Sequence, residues 1–271
     1  MRTSIIATSL ALGLFAATSA QAALVTSWGY TVDTKWIAPT TFTGTGGTQI
    51  TSANEISWGG DNNGNTTGVG DLIVGGGDRS GVLVANTAPV GATVTTNGLA
   101  SPTAQFSHIN NPISASYGTL LTATVQTTLT LQAQSPVAGP VLPLPQLVFN
   151  INFAETSNNG NCVVGATSNC DDVFVITFGA LNNMFNYDGN DYFVSIVNTA
   201  GPLSPLDPTA CAAAGAATPC LGFLTREGER TNVDFGILIS AQPVQIPEPG
   251  ILGLLGLGML GMFLSRRRTA V

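Results

Sequence analysis

A single histidine confines any imidazole chemistry in this 271-residue chain to His108. On an extended strand Phe106, His108 and Asn110 share one face, and Asn111-Pro112 then turns the chain. An imidazole and an amide oxygen converging there could hold a metal or a ligand. The favoured expectation is a hydrogen-bonded corner that orders the loop before a long strand. A serine nucleophile would need a sharp G-x-S-x-G turn beside that histidine, and the chain has none. No H-E-x-x-H, C-x-x-C or Walker-type loop occurs either.

Paired carboxylates are the enzymatic option that remains. A glycosidase or lyase needs two acids facing across a groove, about 5 to 9 Å apart, and Glu55, Glu155, Glu227 and Glu229 are available. Glu227 and Glu229 flank Gly228 between two arginines and read as a hairpin tip. Asp61-Asn62-Asn63-Gly64-Asn65 places oxygen donors at Asp61, Asn63 and Asn65, the alternation used by calcium loops. It lacks the glycine and the glutamate that complete such a loop. Asp188-Gly189-Asn190-Asp191 has similar chemistry, and the same residue types dominate ordinary turns. Ca2+ is therefore the one cofactor with any residue support. Trp28, Trp36 and Trp58 would serve as sugar-stacking platforms if exposed.

Four cysteines complete the inventory: Cys162, Cys170, Cys211 and Cys220. An even number in an exported chain reads as disulfides. Three connectivities are open; Cys162–Cys170 with Cys211–Cys220 is preferred, since each pair brackets a Gly/Ala/Asn loop between strands.

The elements that must position these groups show a period of two. Between Tyr117 and Gln132 the odd positions Leu121, Ala123, Val125, Leu129 and Leu131 are apolar, and the even positions Thr122, Thr124, Gln126, Thr128, Thr130 and Gln132 are polar. Leu147, Phe149, Ile151 and Phe153 repeat the pattern, as do Val233, Phe235, Ile237 and Ile239. Val173 to Phe178 and Tyr192 to Val197 are apolar on both faces and belong in the middle of a sheet. Gly59 to Gly77 is a long Gly/Asn/Asp loop, and Gly201 to Pro208 a Pro-rich crossing. Gln134 to Gln146, with four prolines, reads as an extended connection that crosses between sheets. About ten strands without helical alternation predict one all-β ectodomain, an antiparallel β-sandwich of jelly-roll-like form.

The two ends differ from this middle. Arg2, an apolar run from Ile5 to Ala17 and Ala20-Gln21-Ala22 make a secretory signal peptide over residues 1–22, cut by signal peptidase. Residues 23–245 form the ectodomain. Residues 246–271 hold Pro247-Glu248-Pro249, fifteen uncharged and mostly apolar residues from Gly250 to Leu264, then Arg266, Arg267 and Arg268. As a transmembrane helix the apolar run would span roughly 22 Å against about 30 Å of hydrocarbon. The arginines would stay on the cytoplasmic side. Such a segment pauses in the membrane with the main domain outside.

Between the ends, Lys35, Arg79, Arg226 and Arg230 stand against fifteen acids, a balance of −11 with Glu248 counted. That charge disfavours nucleic acid and anionic lipid as partners.

The ordered elements of the tail resemble the PEP-CTERM sorting signal. The resemblance implies a Gram-negative exporter whose exosortase, a membrane protease, removes the apolar segment during surface delivery. "WGYTVDTKW" from Trp28, "EISWG" from Glu55 and "FSHINNPI" from Phe106 resemble the THxN family of PEP-CTERM proteins. The naming tetrad falls on Ser107-His108-Ile109-Asn110, with serine in place of threonine. That family has no assigned chemistry. Together the two resemblances imply a non-enzymatic surface or matrix protein retained with exopolysaccharide in biofilm. A polysaccharide-binding module and a carboxylate-dependent glycosidase or lyase are the competing readings.

Overall fold

The computed structural model describes residues 23–60, 78–156, 171–177 and 181–244. In chain order these residues form β1 (Ser27–Phe42), β2 (Thr48–Thr51), β3 (Glu55–Gly59), β4 (Arg79–Asn86), β5 (Thr93–Thr95), β6 (Ser101–Ile109), β7 (Leu120–Ser135) and β8 (Val141–Pro143). There follow β9 (Leu147–Ala154), β10 (Asp172–Thr177), β11 (Asn183–Tyr187), β12 (Asn190–Ala200), β13 (Ser204–Pro205), α1 (Pro208–Ala213), β14 (Leu221–Thr225) and β15 (Arg230–Ser240). One sheet runs β13-β14-β10-β9-β7-β1-β5, with β8 also paired to β7. The other runs β11-β12-β15-β6-β4-β3-β2. Strand neighbours within both sheets are antiparallel, and the expected β-sandwich is what forms.

The period-two pattern places the core. Leu147, Phe149, Ile151 and Phe153 of β9 are buried, as are Val233, Phe235, Ile237 and Ile239 of β15. Between the sheets Trp28 meets Phe185, Tyr187 and Tyr192 edge-on at 5.1–5.5 Å, contacts worth about 0.5–1.5 kcal/mol each beyond area burial. Phe106 links Trp36 to Phe235 in the same manner. The outward side of β1 and β7 is joined by cross-strand threonine pairs, Thr31 with Thr130 and Thr41 with Thr122. Such pairs stabilise neighbouring strands.

Two expectations change. Leu121 is exposed while Leu120 is buried, because two residues of β7 oppose one of β1 near Thr41 and Phe42. That β-bulge reverses the alternation at the start of the strand. Residues 134–146 do not cross between the sheets: β8 pairs with β7 at Thr130 to Gln132, on the sheet that also receives β9. The prolines shape a return along the same sheet. The 201–208 segment does cross, from β12 to β13.

Buried on both faces, Val173 and Val175 of β10 pack against Ala210, Cys211 and Ala214 of the α1 region. There the expected disulfide Cys211–Cys220 closes the loop. Its preferred companion, Cys162–Cys170, lies outside the described residues.

The sandwich has two poles. At one, Arg230 of β15 pairs with Ile109 of β6. At the other, Phe193 of β12 pairs with Ser240, and Thr96 bridges to Ile239. Ten residue steps of β15 separate them, about 34 Å.

Candidate functional site

The strand ends at the Arg230 pole bring together the chain's histidine and three of its carboxylates. His108 projects inward from β6, fully buried. Its ring stacks on Trp58 at 6.3 Å and meets Phe153 edge-on at 4.9 Å. Glu155 follows the last residue of β9, and its Oε2 accepts from Trp58 Nε1 at 2.9 Å. Asp172 opens β10 with no exposure, and its Oδ1 accepts from the Thr156 amide at 2.8 Å. The Glu155 and Asp172 carboxyls are neighbours, and each influences the other's ionisation. Glu227 comes from the link between β14 and β15, and both its carboxylate oxygens are shielded and unpartnered.

Such a set is costly to ionise in a low-dielectric interior. Burial pushes the Glu155 carboxyl up to about 8; the Trp58 hydrogen bond opposes this and the neighbouring Glu227 charge adds to it. Burial, followed by the charge of Glu155, raises Asp172 well above the usual carboxylate range. Glu227 is also raised by burial. Burial drives His108 the other way, down to about 3. His108 Nε2 lies 3.7 Å from Asp172 Oδ2, an ion-pair spacing. Burial disfavours the charged form of both groups, which weakens any ion pairing at this spacing. Glu155 as a residue is half-buried, but its Oε1 is shielded and unpartnered.

Neither ring nitrogen of His108 has a hydrogen-bond partner, so His108 takes no part in the hydrogen bonds of the expected corner. The corner is hydrogen-bonded through its asparagines instead. Asn110 Nδ2 donates to the Thr225 carbonyl at 3.0 Å, and the Asn110 amide donates to the Glu229 carbonyl at 3.0 Å. The Asn110 carbonyl accepts from Gly228 at 2.8 Å. Asn111 Nδ2 donates to the Arg79 carbonyl, and the Asn111 amide donates to Ser80 Oγ. Ser107 points to the opposite side of β6. There it donates to Asn232 Oδ1 at 2.7 Å and accepts from Arg230 Nη2 at 2.8 Å.

The expected hairpin tip at Glu227 and Glu229 is a link between sheets, since β14 and β15 belong to different ones. Gly228 there has φ 73°, a left-handed conformation suited to glycine. Glu229 is exposed, and Glu55 is buried at the far end of β3. Of the four candidate acids, only Glu155 and Glu227 enter the cluster. Their third partner, Asp172, was not among the candidates. The Asp171-Asp172 pair preceding an apolar strand is the signal that could have found it.

Trp28, Trp36 and Trp58 are at most 3% exposed, so none offers a stacking platform. Asp188 and Gly189, both at positive φ, form the two-residue turn between β11 and β12, as hairpin geometry requires. Asp61, Asn63 and Asn65 lie outside the described residues. Among those described, no three His, Cys, Asp or Glu side chains stand close enough to hold a metal ion. No helix among them is long and apolar enough to cross a membrane.

Residues 245–268 match the PEP-CTERM protein-sorting motif. The match covers Pro247, Glu248, Pro249, Arg266, Arg267 and Arg268, all beyond the described residues. No curated protein matches the chain. The motif makes this an exported protein with a C-terminal, membrane-associated sorting signal, processed by exosortase during export.

Proposed function

We propose that the processed protein is a non-enzymatic surface or extracellular-matrix component that associates with exopolysaccharide in biofilm. The reading is carried by the outward face of the larger sheet. Thr31, Thr41, Gln132, Gln134, Gln146 and Asn150 are exposed across β1, β7, the β8–β9 link and β9. Hydroxyls and amides without dense charge suit hydrogen bonding to neutral sugars along an extended polymer. The likeness of residues 28–36, 55–59 and 106–113 to THxN proteins supports the same role. The carboxylates that would be needed for hydrolysis are shielded, which favours a structural over a catalytic use of the cluster.

Sedimentation of the processed protein with exopolysaccharide from the producing cells tests the association. The expected result is co-sedimentation that Glu155→Gln leaves unchanged, with no release of reducing ends. Reducing-end release that Glu155→Gln abolishes would establish the glycosidase reading and refute this one. A protein that stays wholly in the supernatant would refute the association.

A further inference from the structure

Both chain ends leave the sandwich at the pole opposite the acid cluster. At the N-terminal side the Val25 amide donates to Tyr192 Oη at 2.7 Å, and Ser27 pairs with Ser135 and Thr95. Trp28 Nε1 bonds Thr96 Oγ1 at 3.0 Å, and Thr96 bridges to Ile239 near the end of β15. At the C-terminal side the chain is gripped once more after β15 ends. Asn182 Nδ2 donates to the Val244 carbonyl at 3.0 Å, and Asn182 Oδ1 accepts from the Val244 amide at 2.7 Å. Asn182 is itself held, its amide donating to Ser195 Oγ at 2.9 Å. Ser195 pairs with Leu238, two positions from the end of β15. The sorting motif begins at the next residue, 245.

We infer that Asn182 is a positioning residue for processing: its clasp shortens the tether so that the Val25/Val244 pole is the membrane-facing surface of the sandwich and the acid-cluster pole faces away. The inference rests on the export reading and adds an orientation to it. Six residue steps separate Val244 from Gly250, where the apolar run starts, a reach of at most about 21 Å. The pole separation of about 34 Å exceeds it. The other pole therefore cannot turn to face the bilayer, with the clasped pole above it, while the clasp holds. Without it, the next grip is the Ala241 amide on Asn97 Oδ1 at 2.9 Å. The reach to Gly250 then grows to about 32 Å, within a few ångströms of the pole separation, and a flexible insert after Val244 carries it past that distance. The expected signal peptide emerges at the same pole, so both hydrophobic ends enter one membrane without the chain passing around the fold.

The full chain in phosphatidylcholine–phosphatidylethanolamine vesicles carrying a quencher on the lipid tests this. A fluorophore is placed at Leu99→Cys, in the exposed turn beside Asn97, or at Glu229→Cys, exposed at the other pole. Strong quenching at Leu99 and none above background at Glu229 is expected. Asn182→Ala, or a flexible insert after Val244 that leaves the fold untouched, should erase much of that difference. Thermal unfolding of each variant shows that the sandwich is intact. Equal quenching at both sites in the parent chain, or more at Glu229, overturns the orientation. A difference unchanged by the insert overturns the role of the clasp. Flotation of the unlabelled chain is read separately. A chain that does not float with the vesicles overturns the membrane premise itself, and the orientation with it.

Discussion

Replacing Glu155 with glutamine removes a titrating proton and leaves the local geometry in place. The amide oxygen can still accept from Trp58 Nε1, and the uncharged amide sits beside Asp172 without adding a charge. The native carboxyl is raised from 4.5 to about 8, chiefly by burial. A raised folded-state pKa means the folded protein holds a proton that the unfolded chain releases. Stability from this group is thus full below pH 4.5 and lost as pH rises through about 8. His108 works in the opposite sense. Its pKa is lowered to about 3 by burial, so its contribution is present above 6.5 and lost as pH falls. Between pH 6.5 and 8 the histidine becomes mostly neutral in both states, and the acids dominate the pH dependence.

Over those one and a half units Glu155 costs the fold about 2 kcal/mol at 1.36 kcal/mol per unit. Asp172, raised for the same reason, acts in the same direction. Urea unfolding of the oxidised, processed protein at several pH values across this window reads the slope. The parent should lose stability as pH rises, and Glu155→Gln should lose less by about one proton's worth, becoming the more stable of the two at pH 8. A parent whose midpoint is flat or rises across the window would refute the reasoning. So would an unchanged slope in the variant, since the proton would then reside elsewhere.

Two further expectations concern neighbouring groups. His108→Phe keeps a flat ring against Trp58 and Phe153. It should remove a stability loss of about 2 kcal/mol on acidifying from pH 6.5 to 5, measured by the same titration of urea midpoints. Replacing Cys211 and Cys220 by serine opens a loop with a sequence separation of 9. It should cost about 2–3 kcal/mol in urea unfolding, and reducing agent should produce the same shift in the parent but none in this variant if that bridge is the sensitive one.

Strand identity was legible because one face of each strand meets the core. Ile151, Phe153, Val233 and Ile237 alternate with polar neighbours, and hydrophobic burial enforces that period. The bulge at Leu121 was hidden because a register shift depends on how β7 meets β1. The path of residues 134–146 was hidden for a related reason. Proline excludes most ladder positions but does not say which sheet receives the chain afterwards, and β8 pairs back through three positions alone. The cluster was half legible. Glu155 and Glu227 stood out as acids in a chain with few charges, yet their convergence depends on β9 and β10 being neighbours and on the β14–β15 link crossing sheets. Asp172 sits at the head of an apolar strand, where an acid more often marks a solvent-facing turn.

The same topology gives the Ser107-His108-Ile109-Asn110 tetrad a mechanical sense. Alternation along β6 sends Ser107 outward to Asn232 and Arg230 and His108 inward to Trp58 and Phe153. Asn110, just past the strand, ties down Thr225, Gly228 and Glu229 at the one place where the chain passes from β14 to β15. Ser107 ties β6 to β15 within one sheet, while His108 and Asn110 reach residues of the other. A ligand site would instead turn these polar atoms toward a common point. Only His108 and the unpartnered Asn110 Oδ1 retain free hydrogen-bonding capacity, and both are fully buried. The chemistry of the tetrad is therefore directed at joining two sheets, at the pole farthest from the clasped tail.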